Sequence, residues 1–262
     1  MRAFALLSLL LWPGALLATT APEFERALRL PELAVTLAAE AARTASQIDD
    51  DMLGGEGGSV FATQIAHIND PARLAAEIAD GLAASLPKDV ARPVLSFLQS
   101  PQGQNIIALE LSARQAFLDP EVEAFARGAA EDSPFAAQID QLIASGDMIT
   151  ENRETAALTT AAFYRGLRAG GALDLSDAQI DDLAQEQASG ADADTRGWLE
   201  GFFSLAYSPL DPGEIDVLVA FWETDEGIAF SRALYDVYDA AYIDRWFAMG
   251  RAAALFMVAE DI

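Results

Sequence analysis

The residues able to perform chemistry are few in kind. His67 is the only histidine and cysteine is absent. A zinc site would need at least two carboxylates beside His67, and none stands at a metal-ligand spacing. A serine–histidine–acid triad would also have to use His67, and no Gly-x-Ser-x-Gly elbow occurs. We therefore read His67 as a structural or surface residue. The run Asp192-Ala193-Asp194-Thr195-Arg196-Gly197 begins like a calcium loop, with glycine at its sixth position. Arg196 at the fifth position and Phe203 at the twelfth stand where a ligand and a bidentate glutamate are required, so the pattern fails. Asp49-Asp50-Asp51 and Asp181-Asp182 read as solvated helix ends, where any divalent binding would be weak and of calcium or magnesium type. Two carboxylates set for glycoside hydrolysis stay open as an alternative, because spacing along the chain does not fix separation in space. Glu110, inside the apolar run Ile106-Ile107-Ala108-Leu109-Glu110-Leu111, has Arg114 four residues on, which predicts a helical ion pair. No residue is assigned a catalytic, cofactor or metal role.

The elements that would position such groups read as helices. Asp or Ser precedes Pro at the head of five apolar segments: Asp70-Pro71, Ser100-Pro101, Asp119-Pro120, Ser133-Pro134 and Asp211-Pro212. The first residue can cap free N–H groups, and proline at the first helical position lacks only a donor that would go unused. Stops stand at Gly54-Gly55, Ser145-Gly146, Gly170-Gly171 and Ser189-Gly190. Leu33, Leu37, Ala41, Ala45, Ile48 and Met52 trace one helical face, and Leu74, Ile78, Leu82 and Leu86 another. Period-two runs of Val, Ile and Thr are missing. The expectation is an all-α fold with no β-sheet.

One local device occurs twice. Phe97-Leu98-Gln99-Ser100-Pro101-Gln102-Gly103 matches Phe221-Trp222-Glu223-Thr224-Asp225-Glu226-Gly227, with both Phe (97 to 221) and Gly (103 to 227) 124 residues apart. Each copy predicts a helix–helix corner. Ser100 or Thr224 caps the second helix, and Gly103 or Gly227 near its third position gives up roughly 1 kcal/mol of helix propensity. Close approach of the preceding helix, through Phe97-Leu98 or Phe221-Trp222, explains the missing side chain; anion binding at the helix start is the alternative. Two related helical units in tandem follow, the first over 22–150 and the second over 151–262, either separate or sharing one core. The segment Gly54–Gly58 is expected to be a loop within the first.

The first twenty residues read as a signal peptide: Arg2, an apolar run from Ala3 to Ala18, and small residues from Ala18 to Ala21. The run falls short of the roughly 20 residues that span a bilayer, although a retained anchor is the competing reading. No later segment resembles a transmembrane span. Export to the periplasm agrees with the absence of cysteine. With 41 acidic residues against 16 basic ones, a net charge of −25 disfavours nucleic acid as a partner. At 52% apolar residues the chain still has ample material for a core.

Near the C-terminus, Tyr235, Tyr238, Tyr242 and Trp246 repeat at helical spacing on one face, followed by Met249 and Phe256. Such a stripe packs a core, or offers a patch for an apolar ligand or partner helix.

An amphipathic helix ending in an aromatic pair or Phe-Leu, then Ser-Pro-x-Gly, then another helix resembles the bacterial family called domain of unknown function 2059. Residues Val94 to Asp119 and Ser208 to Tyr242 carry the likeness, and the second copy departs from it with Thr224-Asp225 in place of Ser-Pro. The resemblance implies a small, helical, envelope-directed protein and no known reaction, ligand or catalytic residue. The functional expectation is an exported, non-catalytic protein that binds or scaffolds in the periplasm, with an unknown envelope protein or apolar ligand as partner. The alternatives are an envelope-polymer hydrolase with paired carboxylates and a lipid carrier whose apolar cavity is lined by the aromatic stripe.

Overall fold

Capping side chains set where several helices begin. Asp70 accepts from Arg73 N at 2.8 Å, Ser100 from Gly103 N at 3.0 Å, and Asp119 from Glu121 N at 2.9 Å. At the Asp211 start, the Glu214 carboxylate accepts from Asp211 N at 2.9 Å. The fifth expected start moves by two residues. Ser133 Oγ accepts from Phe135 N at 3.3 Å, closing a turn on its own side chain, and the helix opens only at Ala136.

The computed structural model describes residues 21–259, so the signal peptide expected over 1–20 lies outside the described residues. The described residues form helices α1 (Ala21–Ala27), α2 (Leu30–Met52), α3 (Gly58–Ile68), α4 (Pro71–Ser85), α5 (Lys88–Leu98), α6 (Pro101–Ala116), α7 (Pro120–Ala129) and α8 (Ala136–Ser145). They continue as α9 (Met148–Ala169), α10 (Asp177–Ser189), α11 (Asp192–Tyr207), α12 (Pro212–Trp222) and α13 (Asp225–Ala259). No strand occurs among the described residues, and the fold is all-α. No helix among them is long and apolar enough to cross a membrane. Gly54 and Gly55, at φ +60° and +82°, end α2 in the left-handed conformation that glycine adopts without strain. The expected boundary at 150/151 falls inside the first turn of α9.

The core is built across the chain, not within its halves. One apolar cluster joins Phe24, Leu30, Leu74, Ile78 and Leu82 to Phe230, Ala233 and Val237. A second joins Ile106, Phe117, Ile139 and Leu142 to Phe202, Tyr207, Ile215 and Leu218. A third joins Phe61 and Ile65 to Phe163, Leu167, Met249 and Ala253. Helix α13 is the common rod. At 35 residues it runs about 52 Å and serves the first and third clusters in turn.

Its crossing with α9 is unusually close. A Cβ on Gly166 would lie 2.2 Å from Phe247 O, and one on Gly250 would lie 2.1 Å from Phe163 O. Two backbones touch there, and any side chain would separate them.

Candidate functional site

Both copies of the repeated corner form the same hydrogen bonds. Ser100 Oγ donates to Phe97 O at 2.7 Å and accepts from Gly103 N at 3.0 Å. Thr224 Oγ1 donates to Phe221 O at 2.7 Å and accepts from Gly227 N at 3.0 Å. A Cβ on Gly103 would lie 2.2 Å from Phe97 O, and one on Gly227 would lie 2.2 Å from Phe221 O. The approach is thus made by the carbonyl backbone of the preceding helix, whereas its aromatic side chains turn toward each other. The Phe97 and Phe221 rings stack at 3.9 Å and 7°.

Beside this paired corner the helices leave a cavity of about 370 Å³. Helix α13 lines it with Ser231, Leu234, Tyr235, Tyr238 and Tyr242, whose spacing keeps them on one face. Helix α6 contributes Ile107, Glu110, Leu111 and Arg114, and α11 contributes Trp198, Leu199, Phe202 and Phe203. Leu30, Leu33 and Leu37 of α2, Met148, Asn152 and Thr155 of α9, Trp222 and Leu28 complete the wall. Trp246 does not reach it: its ring meets Phe163 edge-on at 6.0 Å, within the third cluster. About three turns of helix along α13, from Tyr235 to Trp246, are enough for the stripe to pass from one cluster to another.

Aromatic rings are packed on each other along the wall. Trp198 stacks on Phe202 at 5.0 Å, Phe203 on Tyr207 at 5.4 Å, and Tyr238 on Tyr242 at 6.0 Å. The few polar groups are mostly committed to one another. Asn152 Nδ2 donates to Met148 O at 2.7 Å and to the Tyr235 hydroxyl at 2.9 Å. Thr155 Oγ1 donates to Asp239 at 2.5 Å.

The ion pair expected between Glu110 and Arg114 does not form. Arg114 instead reaches α2, donating from Nε and Nη2 to the two Glu40 oxygens at 2.8 and 2.9 Å, and its guanidinium lies over Trp198 at 6.0 Å. A planar fork facing both oxygens of a carboxylate gives a better geometry than the single-sided reach along one helix. Burial opposes the charge on Arg114, but the Glu40 carboxylate outweighs it and pushes the guanidinium further above its ordinary value. Glu110 is left with the Tyr207 hydroxyl, which donates to Oε1 at 2.6 Å. Burial pushes the Glu110 carboxyl up to about 6, partly offset by that hydrogen bond. Burial likewise raises Tyr235 and Tyr238 and pushes Tyr242 up to about 12, so these hydroxyls stay neutral at ordinary pH.

Several other acidic candidates have structural partners. Asp49 accepts from Gly57 N at 2.8 Å and Gly58 N at 2.9 Å, holding the glycine loop. Asp181 pairs with Arg165 at 2.6 Å and Asp192 with Arg153 at 2.8 Å. Asp192 to Gly197 forms the start of α11 and not a loop. His67 is exposed on α3. Among the described residues no group of three or more His, Asp or Glu side chains is placed to hold a metal ion.

Helical spacing in the sequence marks three of the cavity's tyrosines, Tyr235, Tyr238 and Tyr242, and sets Glu110 apart with Arg114 as its expected partner. Nothing local marks Trp198 or the α2 leucines as wall residues, or Tyr207 as the partner of Glu110, because they arrive from helices distant in the chain. Comparison with protein-family models, curated proteins and solved structures found no match to this chain.

Proposed function

We propose that this is an exported, non-catalytic helical protein of the bacterial periplasm that holds an apolar small molecule between α2, α6, α11 and α13. The carrying observation is the cavity itself. At about 370 Å³, with walls mostly of Leu, Phe, Trp and Tyr, it has the size and the apolar, aromatic lining of ligand pockets. The pairing of Glu40 with Arg114 supports a binding role over hydrolysis, since that carboxylate is not free to serve as a nucleophile or base beside Glu110. Export rests on the leader-like segment 1–20 and on the resemblance of the corners to an envelope-directed family.

Titration of the mature chain with N-phenyl-1-naphthylamine, an uncharged fluorophore that brightens in apolar surroundings, tests this. Saturable enhancement at one molecule per chain, with a Kd on the order of 1 μM, is expected. Leu234→Trp, which places a larger ring in the cavity, should remove the enhancement while the chain still melts cooperatively. Enhancement that never saturates, or that survives Leu234→Trp unchanged, would show that the cavity holds nothing.

A further inference from the structure

The cavity's two charged side chains differ in how far they are already engaged. Arg114 is committed, with Glu40 on both its donors and Trp198 beneath its plane. Glu110 has no ion-pair partner among the described residues. Its one hydrogen bond comes from Tyr207 to Oε1, and Oε2 receives no protein donor. Glu110 lies deep in the fold yet keeps accessible surface, because that surface is cavity wall. A buried carboxylate without a cation is a costly arrangement, and a ligand carrying the missing charge would relieve it.

The surroundings point to the same ligand. The rings of Trp198, Phe202, Trp222 and Tyr235 are among the residues that line the cavity, and aromatic rings attract cations. Negative potential reaches the wall as well, since Glu151, Asp239 and Asp147 help to raise the Tyr235 hydroxyl after burial has done so. The chain as a whole carries −25. Titratable groups that share the cavity with Glu110 are Arg114 from its own helix and Tyr235, Tyr238 and Tyr242 from α13. Tyr207 reaches Glu110 from α11, and Glu40 of α2 pairs with Arg114 and adds negative charge beside Tyr238 and Tyr242. None of these supplies a free positive charge.

Building on the reading that the cavity holds a small molecule, we propose that its ligand is a lipophilic amine in the protonated form, the ammonium on Glu110 and the apolar body among the aromatic side chains. A fatty or aromatic carboxylate would meet Glu110 with like charge and is discriminated against.

Calorimetric titration of the full mature chain with three compounds sharing one ring system tests the choice: 1-naphthylmethylamine, 1-naphthalenemethanol and 1-naphthoate. The titrations use pH 7.5 and about 0.3 M salt, where exposed charges more than a few ångströms apart are screened. The amine should bind at least tenfold more tightly than the alcohol, and naphthoate most weakly. In Glu110→Gln, which keeps an oxygen for Tyr207, the amine should fall to the level of the alcohol measured on the same variant. Naphthoate binding as well as the amine, or an amine advantage that survives Glu110→Gln, overturns the proposal while leaving the cavity reading intact. Failure of all three, together with the uncharged fluorophore, would overturn both.

Discussion

A carboxylate moved from water to an apolar wall loses hydration that a single hydroxyl donor restores only in part, and Glu110 stands in that position with Tyr207 as its donor. Its pKa rises from the ordinary 4.5 to about 6, so between those values the folded chain binds more protons than the unfolded one. Stability contributed by this group is therefore present at low pH and lost as pH rises through about 6. A shift of that size corresponds to roughly 2 kcal/mol of burdened stability at neutral pH. Glu110→Gln, compared with the native chain by urea denaturation at pH 8 and pH 4, should be more stable by about 2 kcal/mol at pH 8 and nearly equal at pH 4. A difference independent of pH would mean that the carboxyl is well solvated. Glu110 is only partly legible in the sequence. An acid inside the run Ile106 to Leu111 marks an unusual site, and Arg114 at the fourth position beyond it is the natural local partner. Glu40, 74 residues earlier, wins Arg114 by presenting both oxygens, and no local pattern announces that.

Between elements, legibility follows the length of chain over which the interaction closes. The corner at Gly103 closes within seven residues, from Phe97 to Gly103, so capping and close approach could both be read from one short motif. The crossing of α9 on α13 joins Gly166 to Gly250, and each glycine alone looks like an ordinary weak point in a helix. Propensity and geometry make opposite predictions for alanine at all four positions. Propensity favours alanine by roughly 1 kcal/mol in a helix interior. Contact at 2.1 to 2.2 Å with a carbonyl oxygen forbids its Cβ unless the helices move apart. Gly103→Ala, Gly227→Ala, Gly166→Ala and Gly250→Ala should each lower stability by about 3 kcal/mol, the upper range for overpacking. Chemical denaturation of the four variants decides between the two effects, and a stabilised variant would place its helices farther apart. Gly166→Ala and Gly250→Ala act on one crossing, so their double variant should lose less than the sum of the two.

At the scale of the whole molecule the 124-residue offset extends past the corner. It carries α5 from Lys88–Leu98 onto α12 at Pro212–Trp222, and the start of α6 at Pro101 onto the start of α13 at Asp225. The packing exchanges partners across this relation. Helix α4 lies on α13, α11 lies on α6, and the two corners meet through Phe97 stacked on Phe221. Reading the halves as two related units, we infer that neither can bury its own apolar faces, since each large cluster draws on residues from both sides of α9. A fragment ending near residue 150 would leave Leu74, Ile78 and Leu82 without Phe230 and Val237, and a fragment starting there would leave Phe202 and Leu218 without Ile106 and Ile139. Burial of each such side chain is worth about 1.5 to 3 kcal/mol, so losing several exceeds the whole stability of an ordinary domain. Fragments 21–150 and 151–262, expressed apart, should each show no cooperative thermal transition, and mixing them should restore one. Because the cavity takes walls from α2 and α6 on one side and α9, α11 and α13 on the other, the uncharged fluorophore should bind only the mixture. A separate cooperative melt from either fragment would make the halves independent domains and the cavity a surface between them.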